Sequence, residues 1–138
     1  GNGTQDIFLG ESNVLYVSLH QHPLFPMTGK ESVDNCLNYP LPPGTDGKVY
    51  LKTLRKALEE IGSFNPDVLA VSLGFDTYIE DPLTDLQLRI GDFHEMGKLL
   101  GNSVREMGCW YFFVLEGGYS ERIGKLAIEF FRGFQTQT

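Results

Sequence analysis

The stretch Val68-Leu69-Ala70-Val71-Ser72-Leu73-Gly74-Phe75-Asp76 decides how this chain is read. Its first six residues form an apolar run too short for a helix and rich in Val and Leu, which reads as a strand buried on both faces, the kind that parallel sheets use. Gly74 lets the backbone turn sharply, and Asp76 then stands at the carboxyl end of the strand, where open α/β sheets keep their ligands. Asp76 is therefore the lead candidate for a site residue. The plainer alternative is an aspartate that caps the next segment or satisfies turn amides.

Working outward, two more runs follow the same plan. Val14 to Leu19 reads as a strand that ends in His20-Gln21-His22-Pro23, and Cys109 to Leu115 as a buried strand that ends in Glu116-Gly117-Gly118-Tyr119. Between them lie amphipathic helical patterns. One starts after Thr45 or Asp46, carries Leu51, Leu54, Leu58 and Ile61 on one face and closes at Gly62; another spans roughly Asp92 to Met107 with Phe93, Met96, Leu100, Val104 and Met107 on its stripe. A last helix, capped by Ser120, turns Ile123, Leu126, Ala127, Phe130, Phe131 and Phe134 inward. Thr4 is a candidate cap for a short helix over Gln5 to Leu9, and the proline- and glycine-rich residues from Leu24 to Gly47 read as one long loop. Strands alternating with such helices specify an α/β fold, three-layered, with a mainly parallel sheet. All three strands carry polar residues at the same end, so one crevice is expected to gather a His, an Asp and a Tyr.

The chain has 138 residues, 41% hydrophobic and 21% charged, the composition of a globular domain, and one domain is the default at this length. Its net charge of −7 and the scatter of its 11 basic residues argue against a nucleic-acid partner, and no apolar run is long enough for a membrane span. Cys36, read as part of a polar loop, and Cys109, at the mouth of a strand, have no CxxC partner; a reducing, cytoplasmic compartment is expected. His20 and His22 form an H-x-H pair that reads either as metal ligands or as ordinary loop residues. Gly117-Gly118 before a helix suggests an anion-binding nest, as a flavodoxin-like module would use. Tyr119 is placed to donate to a developing oxyanion, or to pack as a turn aromatic. His94 is expected in solvent.

Taken together, several motifs carry a resemblance: Ser18-Leu19-His20, Phe25-Pro26-x-Thr28-Gly29, Asn38-x-Pro40-Leu41-Pro42-Pro43-Gly44-Thr45-Asp46, Pro66-Asp67 through Ser72-x-Gly74-Phe75-Asp76, Asp81-Pro82-Leu83 and Leu115-Glu116-Gly117-Gly118-Tyr119. In this order they resemble the zinc-dependent histone deacetylase and acetylpolyamine amidohydrolase family, over essentially the whole chain. The resemblance implies the arginase-deacetylase fold in partial form, with residues 1–138 the carboxyl-terminal part of a catalytic domain. It implies that Asp76 is a zinc ligand, that Tyr119 stabilises the oxyanion formed on an acetyl-amide, and that Phe25 lines the acyl tunnel. Ser18 and Leu19 would belong to a monovalent-cation site, and Gly117 and Gly118 to the substrate side. Gly1-Asn2-Gly3 matches only the tail of the family's Asp-x-Asp-x-His-His-Gly-x-Gly motif, so two zinc ligands and the catalytic histidines are expected upstream. The resemblance thus implies a deacetylase acting on acetyl-lysine or acetylpolyamine, inactive and without retained zinc as this chain alone. It also implies a homo-oligomer or association with an amino-terminal half; a non-catalytic oligomeric remnant is the alternative.

Overall fold

The computed structural model describes residues 1–136, which form two compact units, the first Gly1–Pro43 and the second beginning at Gly44. Each is described by itself.

In the first unit, helix α1 (Asn2–Phe8) is followed by strands β1 (Tyr16–Gln21) and β2 (Cys36–Leu41), which pair in parallel from Tyr16↔Cys36 to Gln21↔Leu41. Asn35 ties the turn after α1 to the strands. Its amide nitrogen donates to the carbonyls of Phe8 (2.8 Å) and Val14 (2.9 Å), and its amide oxygen accepts from the Gly10 N–H at 2.7 Å. β2 corrects the reading of residues 24–47 as loop throughout, and Cys36 is a fully buried strand residue, not part of a polar loop. Pro40 hid the strand, because proline is tolerated in a ladder only where no N–H is required of it. α1 begins at Asn2 after Gly1 with no side-chain cap, so Thr4 is an interior residue.

The second unit runs α2 (Gly47–Phe64), β3 (Val68–Leu73), α3 (Ile90–Met107), β4 (Trp110–Leu115) and α4 (Ile123–Gln135). Asp46 caps α2 by accepting from the Val49 N–H at 2.9 Å, and the helix passes Gly62 to end at Asn65 in the left-handed region. Its buried positions are Gly47, Tyr50, Ala57 and Leu58, so of the expected stripe only Leu58 is fully inside. β3 and β4 pair in parallel, from Val68↔Trp110 to Leu73↔Leu115, with α3 as the crossover of a βαβ unit. α4 packs on β4: the Phe113 ring lies 5.8 Å from Phe130 and 5.2 Å from Phe134, and Tyr111 lies 5.2 Å from Phe134. Phe75, Phe93, Leu126 and Phe130 are fully buried and form the heart of this unit.

The α/β class with parallel strands is as the alternation of elements specified. The parallel strands, however, lie in two two-stranded sheets. β3 and β4 are also not buried on both faces: β3 alternates exposed with covered residues, and in β4 every residue but Phe113 is exposed. α4 starts at Ile123 without a side-chain cap; Ser120 belongs to the preceding turn, its hydroxyl accepting from the Arg122 N–H at 3.2 Å. His94 is partly covered and lies 3.6 Å from Glu129, rather than standing free in solvent.

Candidate functional site

Parallel pairing puts the carboxyl ends of β3 and β4 next to each other, and the backbone bonds continue past the strands. The Glu116 N–H donates to the Leu73 carbonyl at 3.0 Å and the Phe75 N–H to the Gly117 carbonyl at 2.7 Å. This continuation brings Asp76 against the two glycines. A methyl group added to Gly117 would stand 2.6 Å from Asp76 Oδ2, and one added to Gly74 would stand 3.1 Å from Oδ1. Gly117 leaves room that the carboxylate fills, and Gly74 is in tight contact with it. At Gly118 the backbone itself calls for glycine, with φ at 136° and the Phe75 side chain close behind. The Asp76 carbonyl accepts from the Thr84 hydroxyl, which fixes the following loop.

Burial, first of all, pushes the Asp76 carboxyl above its usual value, and the nearby negative charges of Asp81 and Glu116 push the same way. What relieves a partly desolvated carboxylate among like charges is a proton or a cation. Asp76 is thus suited to hold a positive charge. Alone it is not enough: among the described residues no group of three or more His, Cys, Asp and Glu side chains is placed to hold a metal ion. A catalytic zinc takes three protein ligands, so the residues present do not by themselves fit one.

Asp81 is the site residue whose role sequence reasoning missed. It is only 6% exposed, and its two oxygens accept separate backbone N–H groups, Leu83 at 2.9 Å and Tyr119 at 2.8 Å. The first bond is an Asx turn within the loop after β3; the second spans to the loop after β4 and sets where Tyr119 leaves the backbone. The signal in sequence was Asp before Pro82, a turn pattern, but nothing local points to Tyr119. A peripheral tie, Arg122 to Glu80 at 3.1 Å, joins the same two loops in solvent. Tyr119 is 61% exposed.

The remaining candidates belong to the first unit. Ser18 and Leu19 sit half-buried in β1, and Phe25, 91% exposed, stands on the loop after it. His20 spends both ring nitrogens locally, Nδ1 with the Ser18 hydroxyl at 2.9 Å and Nε2 with the Gly29 carbonyl at 3.0 Å. His22 Nδ1 is buried without a hydrogen-bond partner. Of the expected crevice the second unit brings together Asp76, Gly117, Gly118 and Tyr119; Ser18, Leu19, His20 and Phe25 belong to the first unit.

The aspartate held among glycines and the exposed tyrosine thus stand beyond the carboxyl ends of two parallel strands, the place where open α/β folds keep their ligands. The chain belongs to the histone deacetylase domain family, whose model matches residues 1–132. It is 36% identical to acetylpolyamine amidohydrolase 2 of Pseudomonas aeruginosa, over 98% of this chain and 41% of that protein. It is 35% identical to histone deacetylase 14, chloroplastic, of Arabidopsis thaliana, over 87% of this chain and 30% of that one. The crystal structure of acetylpolyamine aminohydrolase from Burkholderia pseudomallei superposes with a TM-score of 0.88 at 33% identity, over 96% of this chain and 41% of that chain. This chain therefore spans at most about two-fifths of the length of these relatives. Among the described residues no helix is long and apolar enough to cross a membrane.

Proposed function

We propose that this chain is the carboxyl-terminal part of a zinc-dependent deacetylase domain that hydrolyses acetyl-amide bonds of acetylpolyamine or acetyl-lysine. The observation that supports this reading best is the double lock at the strand ends: Asp76 wedged between Gly74 and Gly117, and Asp81 holding the Tyr119 N–H at 2.8 Å. In this reading Asp76 is one zinc ligand and the others come from the rest of the domain. When bound, the metal supplies Lewis-acid chemistry at the acyl group. The part of this chain is to hold the Tyr119 hydroxyl where it donates to the carbonyl oxygen as negative charge gathers there. Gly117 and Gly118 keep the site floor free of side chains, Phe25 borders the acyl group, and Ser18 and Leu19 contribute to a monovalent-cation site. Two free cysteines, one fully buried, favour a reducing compartment such as the cytoplasm.

The test is a chimera in which this chain replaces the matched segment of the Pseudomonas aeruginosa amidohydrolase, assayed on acetylputrescine and on an acetyl-lysine peptide. Hydrolysis is expected, falling by about a hundredfold or more with Tyr119→Phe, the scale on which an oxyanion donor contributes. A folded chimera that hydrolyses neither substrate would refute the proposal.

A further inference from the structure

Tyr119 leaves the backbone between a glycine pair and a turn. The ladder of β3 and β4 is carried on as far as the Gly117 carbonyl, which accepts from the Phe75 N–H at 2.7 Å, and the turn into α4 starts at the Ser120 carbonyl, which accepts from the Ile123 N–H at 3.1 Å. Between them lie Gly118, with φ at 136°, and Tyr119. Glycine restrains its neighbours little. The bond that falls in this gap is the one from the Tyr119 N–H to Asp81 Oδ2, at 2.8 Å.

The other end of that bond is firm. Asp81 donates its own N–H to the Tyr78 carbonyl at 2.9 Å, and the residues before it pair with the segment that leads into α3: the Ile79 N–H donates to the Leu88 carbonyl at 2.9 Å and the Leu88 N–H to the Thr77 carbonyl at 3.2 Å. Tyr78 is buried, with its ring edge-on to Phe93 at 6.3 Å. Asp81 is thus held by the core of the unit and in turn holds Tyr119. Its Asx turn to the Leu83 N–H needs one oxygen only, which Asn or Ser supplies as well. The second oxygen goes to Tyr119, although Asp81 lies near enough to Asp76 for their like charges to oppose each other. A purely local turn does not call for that arrangement.

From this we propose that Asp81 is a positioning residue for the hydrolysis: through the Tyr119 N–H it aims the phenol hydroxyl at the acyl oxygen, itself touching neither substrate nor metal. The proposal rests on the functional reading above. The phenol oxygen stands at the far end of a long side chain, so a swing of about 10° at the backbone displaces it by about 1 Å, and a misplacement of that size costs up to about a hundredfold in rate. The loss falls on turnover, because the bond from the tyrosine strengthens as charge gathers on the oxygen and not when substrate binds.

The test uses the chimera with the Pseudomonas aeruginosa amidohydrolase and acetylputrescine as substrate. Asp81→Ala removes both acceptors, whereas Asp81→Asn keeps one oxygen and turns an NH2 group toward the other N–H. With Asp81→Ala, kcat is expected to fall at least about tenfold with KM within about twofold, and Asp81→Asn to recover part of the loss. A merely structural role would lower kcat by the same factor whatever residue stands at position 119. In the Tyr119→Phe background, where there is no hydroxyl to aim, Asp81→Ala is instead expected to lower the residual kcat by less than about twofold. Arg122→Gln, which removes the exposed tie to Glu80 at 3.1 Å, is expected to leave kcat unchanged. Circular dichroism confirms that each variant folds, and Asp81→Asn carries the cycle where Asp81→Ala does not. Full turnover in the folded Asp81 variants, the same fractional loss in both backgrounds, or an equal loss with Arg122→Gln overturns the inference and leaves the functional reading standing. A folded chimera that hydrolyses nothing before any substitution removes that reading, and the positioning role with it.

Discussion

A methyl group on Gly117 would meet Asp76 Oδ2 at 2.6 Å and Cγ at 3.0 Å, whereas one on Gly124 would meet nothing within 4 Å. Gly117→Ala is expected to push the Asp76 carboxylate out of place and to lower stability by about 1–3 kcal/mol, the usual cost of overfilling a packed site. Gly124→Ala, inside α4, is expected to be neutral or stabilising by up to about 1 kcal/mol. Urea midpoints that coincide for the two variants would show that the Gly117 cradle is not tight. Tyr50 gives a second prediction. Burial above all, and then the charge of Asp76, holds its phenol well above the usual tyrosine range. Unfolded, the same phenol loses its proton near pH of about 10, so above that pH the native state binds the extra proton and stability falls as pH rises. Tyr50→Phe is expected to flatten this alkaline decline in urea melts between about pH 9 and 11; an unchanged slope would mean that Tyr50 ionises in the folded state.

At the scale of elements, α3 and α4 touch through glycines. A side chain on Gly133 would overlap the carbonyl oxygen of His94, and one on Gly97 that of Phe130, backbone atoms that cannot rotate away. Gly133→Ala is expected to lower stability by about 2–3 kcal/mol, while Gly62→Ala on α2, with open space around it, gains a few tenths or more. A Gly133→Ala thermal midpoint within a degree of the parent would contradict this close approach. These glycines were invisible to a reading based on apolar stripes, because their role depends on a partner helix far along the chain. What periodicity carries locally was legible. β3 fell on Val68–Leu73 as read, and α3 and β4 differed by a residue or two at their starts. β2 was not legible, since Cys-Leu-Asn-Tyr-Pro-Leu lacks both alternation and β-branched residues and gains its strand form only from pairing with β1. The site was legible where a single loop made it, as at Gly74 to Asp76. It was not where two loops did, as in the bond from the Tyr119 N–H to Asp81.

At the scale of the whole molecule, the question is how much of a metal site this chain can assemble. By family resemblance three ligands are needed, and Asp76 is the one that matches here. His20 and His22 are the substitutes considered for the missing ligands, but both His20 ring nitrogens are engaged, with Ser18 and Gly29, and among the described residues no cluster of three ligating side chains forms. Self-assembly does not change the arithmetic, because every copy brings the same residues. A lone half-buried carboxylate forfeits most of the affinity that a preorganised site supplies. Metal analysis of the purified chain after dialysis is therefore expected to find well under one zinc per chain, and neither acetylputrescine nor an acetyl-lysine peptide to be hydrolysed by it. The chimera with the Pseudomonas aeruginosa enzyme, which restores the remaining length, is expected to hold about one zinc per chain and to lose it with Asp76→Ala. Zinc near one per chain in the unsupplemented protein, together with hydrolysis abolished by Tyr119→Phe, would show that residues of this chain complete the site by themselves.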